Sequence, residues 1–318
     1  MKLKALLCTS ILVAAGTASA EEIRYAMWAQ PGEAQYEGAM EFKRIVEEGS
    51  DHTVTIYPGD QLGTPREVYA QMALGSTQML ASGDPGLKEI EYLALPYLMK
   101  GIENYQEVLA TDFGKEWNER LVSERQARML GFMPRSPRQI SANTVIESMD
   151  DLSGLKLRAP ERDYYVESLR ALGANPTPMA FAEVYTALQT GVVDGQENPI
   201  ETIYAQKFFE VQDGIAMVDY INKPAYVVVS EQFWSGLSEE EQQLLRDAND
   251  ASTAKIEELL PQQAEAQIAE MEAAGVTITH PDKQPFIEAT QSVRDTLGRN
   301  VWDEATYKQI VEIGQKDY

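Results

Sequence analysis

Gly154-Leu155-Lys156-Leu157-Arg158-Ala159-Pro160 is a short strand that carries its own stop. Side chains alternate along a strand, so Leu155 and Leu157 share one face and Lys156 and Arg158 the other. Pro160 has no N–H to donate and ends the pairing just after Arg158. Arg158 therefore sits at a strand's carboxyl end. In open α/β sheets, ligands bind beyond such ends.

The flanking chain alternates strands with helices, the pattern of an α/β fold. Strands are expected near Glu22 to Trp28, Thr53 to Tyr57, Gln78 to Ser82, Arg128 to Met133 and Tyr226 to Val229. A helix from about Gln35 to Glu48 would bury Tyr36, Met40, Ile45 and Val46. Thr64-Pro65-Arg66-Glu67 is a capping box with proline at the first helical position. Ser238-Glu239-Glu240-Glu241 is a second capping box. It opens a helical pattern that runs to about Ala274, with Leu244, Leu245, Ala248, Ala251, Ile256 and Leu259 on one face. Pro261 is expected to kink or break that helix. A helix of this length can bridge two lobes.

Residues 1–20 have the pattern of an exported leader. Lys2 and Lys4 precede an apolar run from Ala5 to Gly16, and Ala18-Ser19-Ala20 supplies the small residues of a cleavage site. The run is shorter than the roughly 20 apolar residues that span a bilayer. Cys8, the only cysteine, lies inside this leader behind Leu7, which argues against lipidation. The remaining 298 residues then have no disulfide, no thiolate and no cysteine-based metal site. They keep 25 basic residues against 50 acidic ones, a charge of −25. That field repels nucleic acid and anionic lipid. A small anion would need positive charge held locally inside a cleft.

Support for catalysis is slight. His52 and His280 are expected at the surface, and neither has metal-ligand spacing. There is no phosphate-binding glycine loop and no nucleophile elbow. No catalytic group, metal or cofactor is expected. Binding is better served. Arg158 at its strand end and Arg138 in the loop Pro134-Arg135-Ser136-Pro137-Arg138 offer planar forks suited to a carboxylate. Taken singly, each arginine fits a surface salt bridge better; their shared placement at strand ends favours binding. Asp194-Gly195-Gln196-Glu197-Asn198-Pro199 is a polar cluster, in isolation a helix-to-strand turn, whose Gln196 and Asn198 carry donors and acceptors. Ser82-Gly83-Asp84-Pro85-Gly86 is a loop after a strand and a candidate cleft wall. Trp28 and Phe181 could pack on a ligand's apolar face, although core is the default for an aromatic.

Together these segments resemble a known family. Gly154 to Pro160, Gly173-Ala-Asn-Pro-Thr-Pro-Met-Ala-Phe181-Ala-Glu-Val-Tyr185, Leu188-Gln-Thr-Gly191 and Asp194 to Pro199 follow in the order seen in DctP-type substrate-binding proteins of TRAP (tripartite ATP-independent periplasmic) transporters. Ala205-Gln-Lys-Phe-Phe-Glu210 and the long helix after Ser238 fit as well. The resemblance implies a two-lobed periplasmic clamp with a long helix spanning both lobes. Residues 21–135 plus 224–263 would form one lobe, and 136–223 plus 264–318 the other, behind the signal peptide 1–20. It implies a monomer that captures a small organic acid by lobe closure and docks on membrane subunits for uptake driven by an ion gradient. It also implies that Arg158 pairs with the ligand carboxylate, and that Arg138, Asn198 and Phe181 complete the site.

Sialic-acid-binding members carry an asparagine near Trp28 and a glutamate near Gly83, which makes sialic acid a poorer fit here. An aldonate, a uronate or a C4-dicarboxylate stays open, with Trp28, Gly83 and Asp84 expected to decide. A binding protein for an ABC importer or chemoreceptor, or an exported sugar-acid enzyme, is the alternative reading.

Overall fold

The computed structural model describes residues 21–317; the expected signal peptide, with Cys8, lies outside the described residues. In chain order the strands are β1 (Glu22–Met27), β2 (Thr53–Tyr57), β3 (Met79–Ser82), β4 (Ala127–Met133), β5 (Arg138–Ala142), β6 (Lys156–Ala159), β7 (Asn175–Pro178), β8 (Gly195–Pro199), β9 (Gly214–Ile221), β10 (Ala225–Ser230) and β11 (Thr277–Thr279). They form two sheets, ordered β2-β1-β3-β10-β4 and β11-β9-β5-β8-β6-β7. In the first, β1 runs parallel to β2 and β3, while β10 is antiparallel to β3 and β4. In the second, β6 runs parallel to β7 and β8, and β5 is antiparallel to β8 and β9.

The chain passes between the sheets from β4 to β5 and again from β9 to β10. The long helix, Glu239–Ala273, packs on the first helix (Ala34–Gly49) and β4 on one side, and on β11 and the short helix Ile200–Ala205 on the other. Both expected capping boxes form: Glu67 accepts from the Thr64 N–H at 2.8 Å and Glu241 from the Ser238 N–H at 2.8 Å. The last helix, Glu304–Gly314, returns to the helix Ile102–Ala110, where Asn104 donates to the Ile313 carbonyl at 2.8 Å.

Several local expectations are corrected. The long helix is unbroken through Pro261. Pro261 and Glu257, whose carbonyl loses its usual donor, both lie on the exposed side, where water can replace the missing bond. The buried stripe of the first helix is Ala34, Gln35, Gly38, Ala39, Phe42 and Val46, with Met40 exposed. Gly38 sets this: a Cβ there would lie 2.4 Å from Ile256 Cγ1, so its hydrogen lets the long helix close in. His52 is buried rather than exposed. Its Nδ1 accepts from the Glu21 N–H, its ring packs edge-on against Phe233, and its Nε2 lies 3.3 Å from Glu241. The polar cluster at Gly195 to Pro199 is a buried central strand, not a turn.

Gly195 explains how that strand fits. A Cβ at this position would meet the Ser141 carbonyl at 2.3 Å and Leu157 Cδ2 at 2.9 Å. The first contact is backbone in a neighbouring strand and cannot swing away. Gly195→Ala is therefore expected to lower stability by about 1–3 kcal/mol, the usual cost of overpacking, seen as a lower urea midpoint at constant slope.

Candidate functional site

A cavity of about 570 Å³ lies where carboxyl-end residues of both sheets meet. From the first sheet come Trp28 beyond β1, Asp60 beyond β2, Ser82-Gly83-Asp84 at the end of β3, and Arg135 beyond β4. From the second come Arg138 at the start of β5, Arg158 in β6, Met179 to Phe181 beyond β7, and Asn198 in β8. The antiparallel pairing of Arg138 with Pro199 brings the start of β5 to the end of β8. All seven residues singled out from the sequence line this cavity: Trp28, Gly83, Asp84, Arg138, Arg158, Phe181 and Asn198.

Their environments differ. Arg138 is not in a loop; it opens β5 and is already matched. Its Nε and Nη2 both bond the Glu197 carboxylate, with Nη2 at 2.7 Å, and Nη2 also reaches the Glu197 carbonyl at 2.9 Å and Asn198 Oδ1 at 3.0 Å. Tyr220 donates to the same carboxylate at 2.6 Å. Burial opposes the Arg138 charge, but Glu197 outweighs it and holds the pKa well above the ordinary arginine value.

Arg158 is 3% exposed and has no such partner. Its Nε and Nη2 both donate to the Met179 carbonyl, at 3.2 and 3.0 Å. Its guanidinium lies 5.8 Å from the Phe181 ring centroid. No described carboxylate forms an ion pair with it; the pairs nearby belong to Arg138 and Arg135. Burial lowers its pKa, the Glu197 field offsets part of this, and repulsion from Arg138 adds to it. The guanidinium stays charged, so β6 delivers a desolvated cation to the cavity wall.

The remaining residues frame this cation. Phe181 is 45% exposed on a single 3-10 turn. Trp28 stacks with Arg135, whose guanidinium carbon lies 5.1 Å from a Trp28 ring centre. Arg135 bonds Thr202 at 2.9 Å and lies 3.7 Å from Glu201. A side chain at Gly83 would meet nothing within 4 Å, so that loop leaves space. Asp84 is partly used: Oδ1 accepts from the Gly86 N–H at 2.8 Å, and Oδ2 lies 3.4 Å from Arg162. Asn198 donates to Gln196 at 2.6 Å, and Gln196 donates to Ser141 at 2.8 Å, so a buried polar chain fixes its orientation.

Sequence reasoning missed Glu197, Tyr165, Arg135 and Lys223. Tyr165 lies under Arg138, its ring centroid 5.0 Å from the guanidinium carbon. The one available signal for Glu197 was its place beside Asn198 in a motif already noted. Among the described residues no group of three or more His, Cys, Asp or Glu side chains is gathered to hold a metal. Neither histidine lines the cavity. No described helix is long and apolar enough to cross a membrane.

The chain is similar to known proteins along most of its length. Residues 25–300 match the profile of the bacterial extracellular solute-binding proteins, family 7 (DctP). The sialic acid-binding periplasmic protein SiaP of Vibrio cholerae is 32% identical over 302 residues, covering 92% of this chain and 93% of its own. A solute-binding protein of Roseobacter denitrificans is 33% identical over 264 residues, covering 81% and 79%. Among solved structures, a TRAP periplasmic solute-binding protein from Roseobacter denitrificans with bound L-galactonate superposes with a TM-score of 0.78 at 29% identity, covering 92% of this chain and 97% of that one. Another, from Pseudomonas putida F1 with bound D-glucuronate, gives 0.81 at 25% identity, covering 93% and 98%. The profile match over residues 25–300, with relatives and solved structures that cover 81–93% of the chain, places it in the DctP family of extracellular solute-binding proteins.

Proposed function

We propose that this protein captures a small hydroxylated organic acid in the periplasm and delivers it, as a monomer, to the membrane subunits of a TRAP transporter. One observation carries the ligand class: Arg158, a buried guanidinium that forms no ion pair with a described carboxylate, opens on a cavity of about 570 Å³. A buried cation is costly until an anion meets it, and a ligand carboxylate supplies that anion with two aligned acceptors. Relatives bearing L-galactonate and D-glucuronate support an aldonate or uronate. C4-dicarboxylate-binding relatives keep that class in the test set.

The mechanism is closure. Lobes of residues 21–135 plus 224–263 and 136–223 plus 264–318 would turn about 134–137, 222–224 and the long helix. The last helix bridges back to the first lobe. Only the closed form offers a ligand both Arg158 and the Trp28 and Gly83-Asp84 side, so binding shifts the population toward it. A cavity whose cations are mostly arginines, with both histidines outside it, supports binding without turnover.

A thermal-shift screen of aldonates, uronates, C4-dicarboxylates and sialic acid checks this. At least one acid is expected to raise Tm in a concentration-dependent way; ligand at 100 times its Kd adds about 2.7 kcal/mol. Stabilisation by none of them, or product formation from any, would overturn the reading.

A further inference from the structure

Lys223 is a further cation of the same cavity that the family reading leaves unassigned. It lies in the crossing between β9 and β10 and is 8% exposed. The crossing is held firmly: Asn222 donates to the Lys100 carbonyl, and Tyr105 donates to the Asn222 carbonyl at 2.8 Å. Lys223 Nζ donates to Tyr164 Oη at 3.0 Å and lies 5.7 and 5.9 Å from the ring centroids of Tyr164 and Tyr226. An ammonium has three donors, and Tyr164 takes one. No described carboxylate forms an ion pair with it.

The other charges around the cavity are mostly paired. Arg138 is matched by Glu197, Arg135 lies near Glu201, and Arg162 is matched by Glu91 and Asp84. Glu33 and Asp60 form no ion pair with a described cation, and burial raises the pKa of each carboxyl. Glu161 is exposed. Two desolvated cations are left, Arg158 and Lys223. One ligand carboxylate on Arg158 leaves the second uncompensated.

We propose that Lys223 is a specificity-determining residue that receives a second negative group of the ligand, so that the preferred solute is a small dicarboxylate held at Arg158 by one end and at Lys223 by the other. The inference rests on the Arg158 reading above. The two side chains suit different tasks. A guanidinium fork fixes the geometry of one carboxylate, whereas an ammonium on a flexible stem accepts an anion over a range of positions. The Tyr164 hydroxyl and the Tyr226 ring hold that ammonium in place without neutralising it.

Matched acid pairs test the idea, because each pair differs only in its far end: galactarate against galactonate, glucarate against gluconate, malate against 2-hydroxybutyrate. Titration calorimetry on the mature protein should show a diacid binding at least tenfold tighter than its partner in one pair, as one charge-assisted contact implies. Lys223→Gln should erase that preference while leaving the monoacid within about threefold, and Lys223→Arg should retain it. The free variant should unfold no earlier than the parent. Equal weakening of both acids by Lys223→Gln, or a parent preference for the monoacid, would overturn the role of Lys223 and leave Arg158 standing. Failure of every acid to bind would remove both.

Discussion

Arg158→Ala is expected to abolish stabilisation by every acid that raises Tm, while the free protein unfolds at or above the parent temperature. The two halves of that result have separate causes. Arg158 gives the fold only two hydrogen bonds, both to the Met179 carbonyl, and that carbonyl borders an open cavity where water can replace them. Against this small gain stands a guanidinium 3% exposed that forms no ion pair with a described carboxylate. Removing it relieves the fold of a desolvated charge. For the ligand the balance reverses. Truncating one partner of a buried, hydrogen-bonded charge pair costs about 2–5 kcal/mol, a factor of roughly 30 to several thousand in Kd. Arg158→Lys keeps the charge but loses the paired donors, so its affinity should fall between the two. Calorimetric titration of the three proteins with one stabilising acid checks the series. An unchanged Kd for Arg158→Ala would remove Arg158 as the anchor and leave the cavity without an assigned cation for the carboxylate that its relatives' ligands share.

How far the sequence led is clearest residue by residue. β2 was legible over Thr53 to Tyr57 because alternation there is strict. Both capping boxes were legible because the motif is local: Thr64 with Glu67, and Ser238 with Glu241. Arg158 was legible as a strand-end residue because a proline marks the end of β6. What was lost depends on partners far along the chain. Gly195 to Pro199 has the composition of a turn and becomes a strand only because β5 pairs with it: Ser141 satisfies Gln196 from 55 residues away, and Arg138 satisfies Glu197 from 59. His52 is buried because Glu241 and Phe233 reach it from the far end of the chain. The stripe of the first helix was misread because Gly38, which carries no hydrophobic signal, is the closest approach to Ile256. Lys223 gave no signal either; a lysine before a proline looks exposed until the tyrosines that cover it are placed.

Glu197 is where the same physics sets stability instead of affinity, and Glu197→Gln is expected to be the most damaging conservative change in the cleft. Glu197 is fully buried. Both its carboxylate oxygens serve Arg138, and one also accepts from Tyr220. The amide is nearly isosteric, so no cavity forms and packing is kept. What disappears is the countercharge of a buried guanidinium, and breaking such a pair from one side costs about 3–5 kcal/mol. In a chain of this size that loss lowers Tm by on the order of 10 °C. Tyr220→Phe removes a single hydrogen bond and should cost about 1–2 kcal/mol, which separates the loss of charge from the loss of a contact. The double change Arg138→Met with Glu197→Leu should recover most of the stability, because replacing a buried pair by apolar side chains of similar volume is often neutral. It should not recover ligand binding, since Asn198 then loses the donor at 3.0 Å that orients its carbonyl oxygen. Differential scanning calorimetry of the four proteins decides. If Glu197→Gln unfolds within about 1 kcal/mol of the parent, Arg138 does not depend on Glu197, and the contrast between a matched Arg138 and an unmatched Arg158 fails with it.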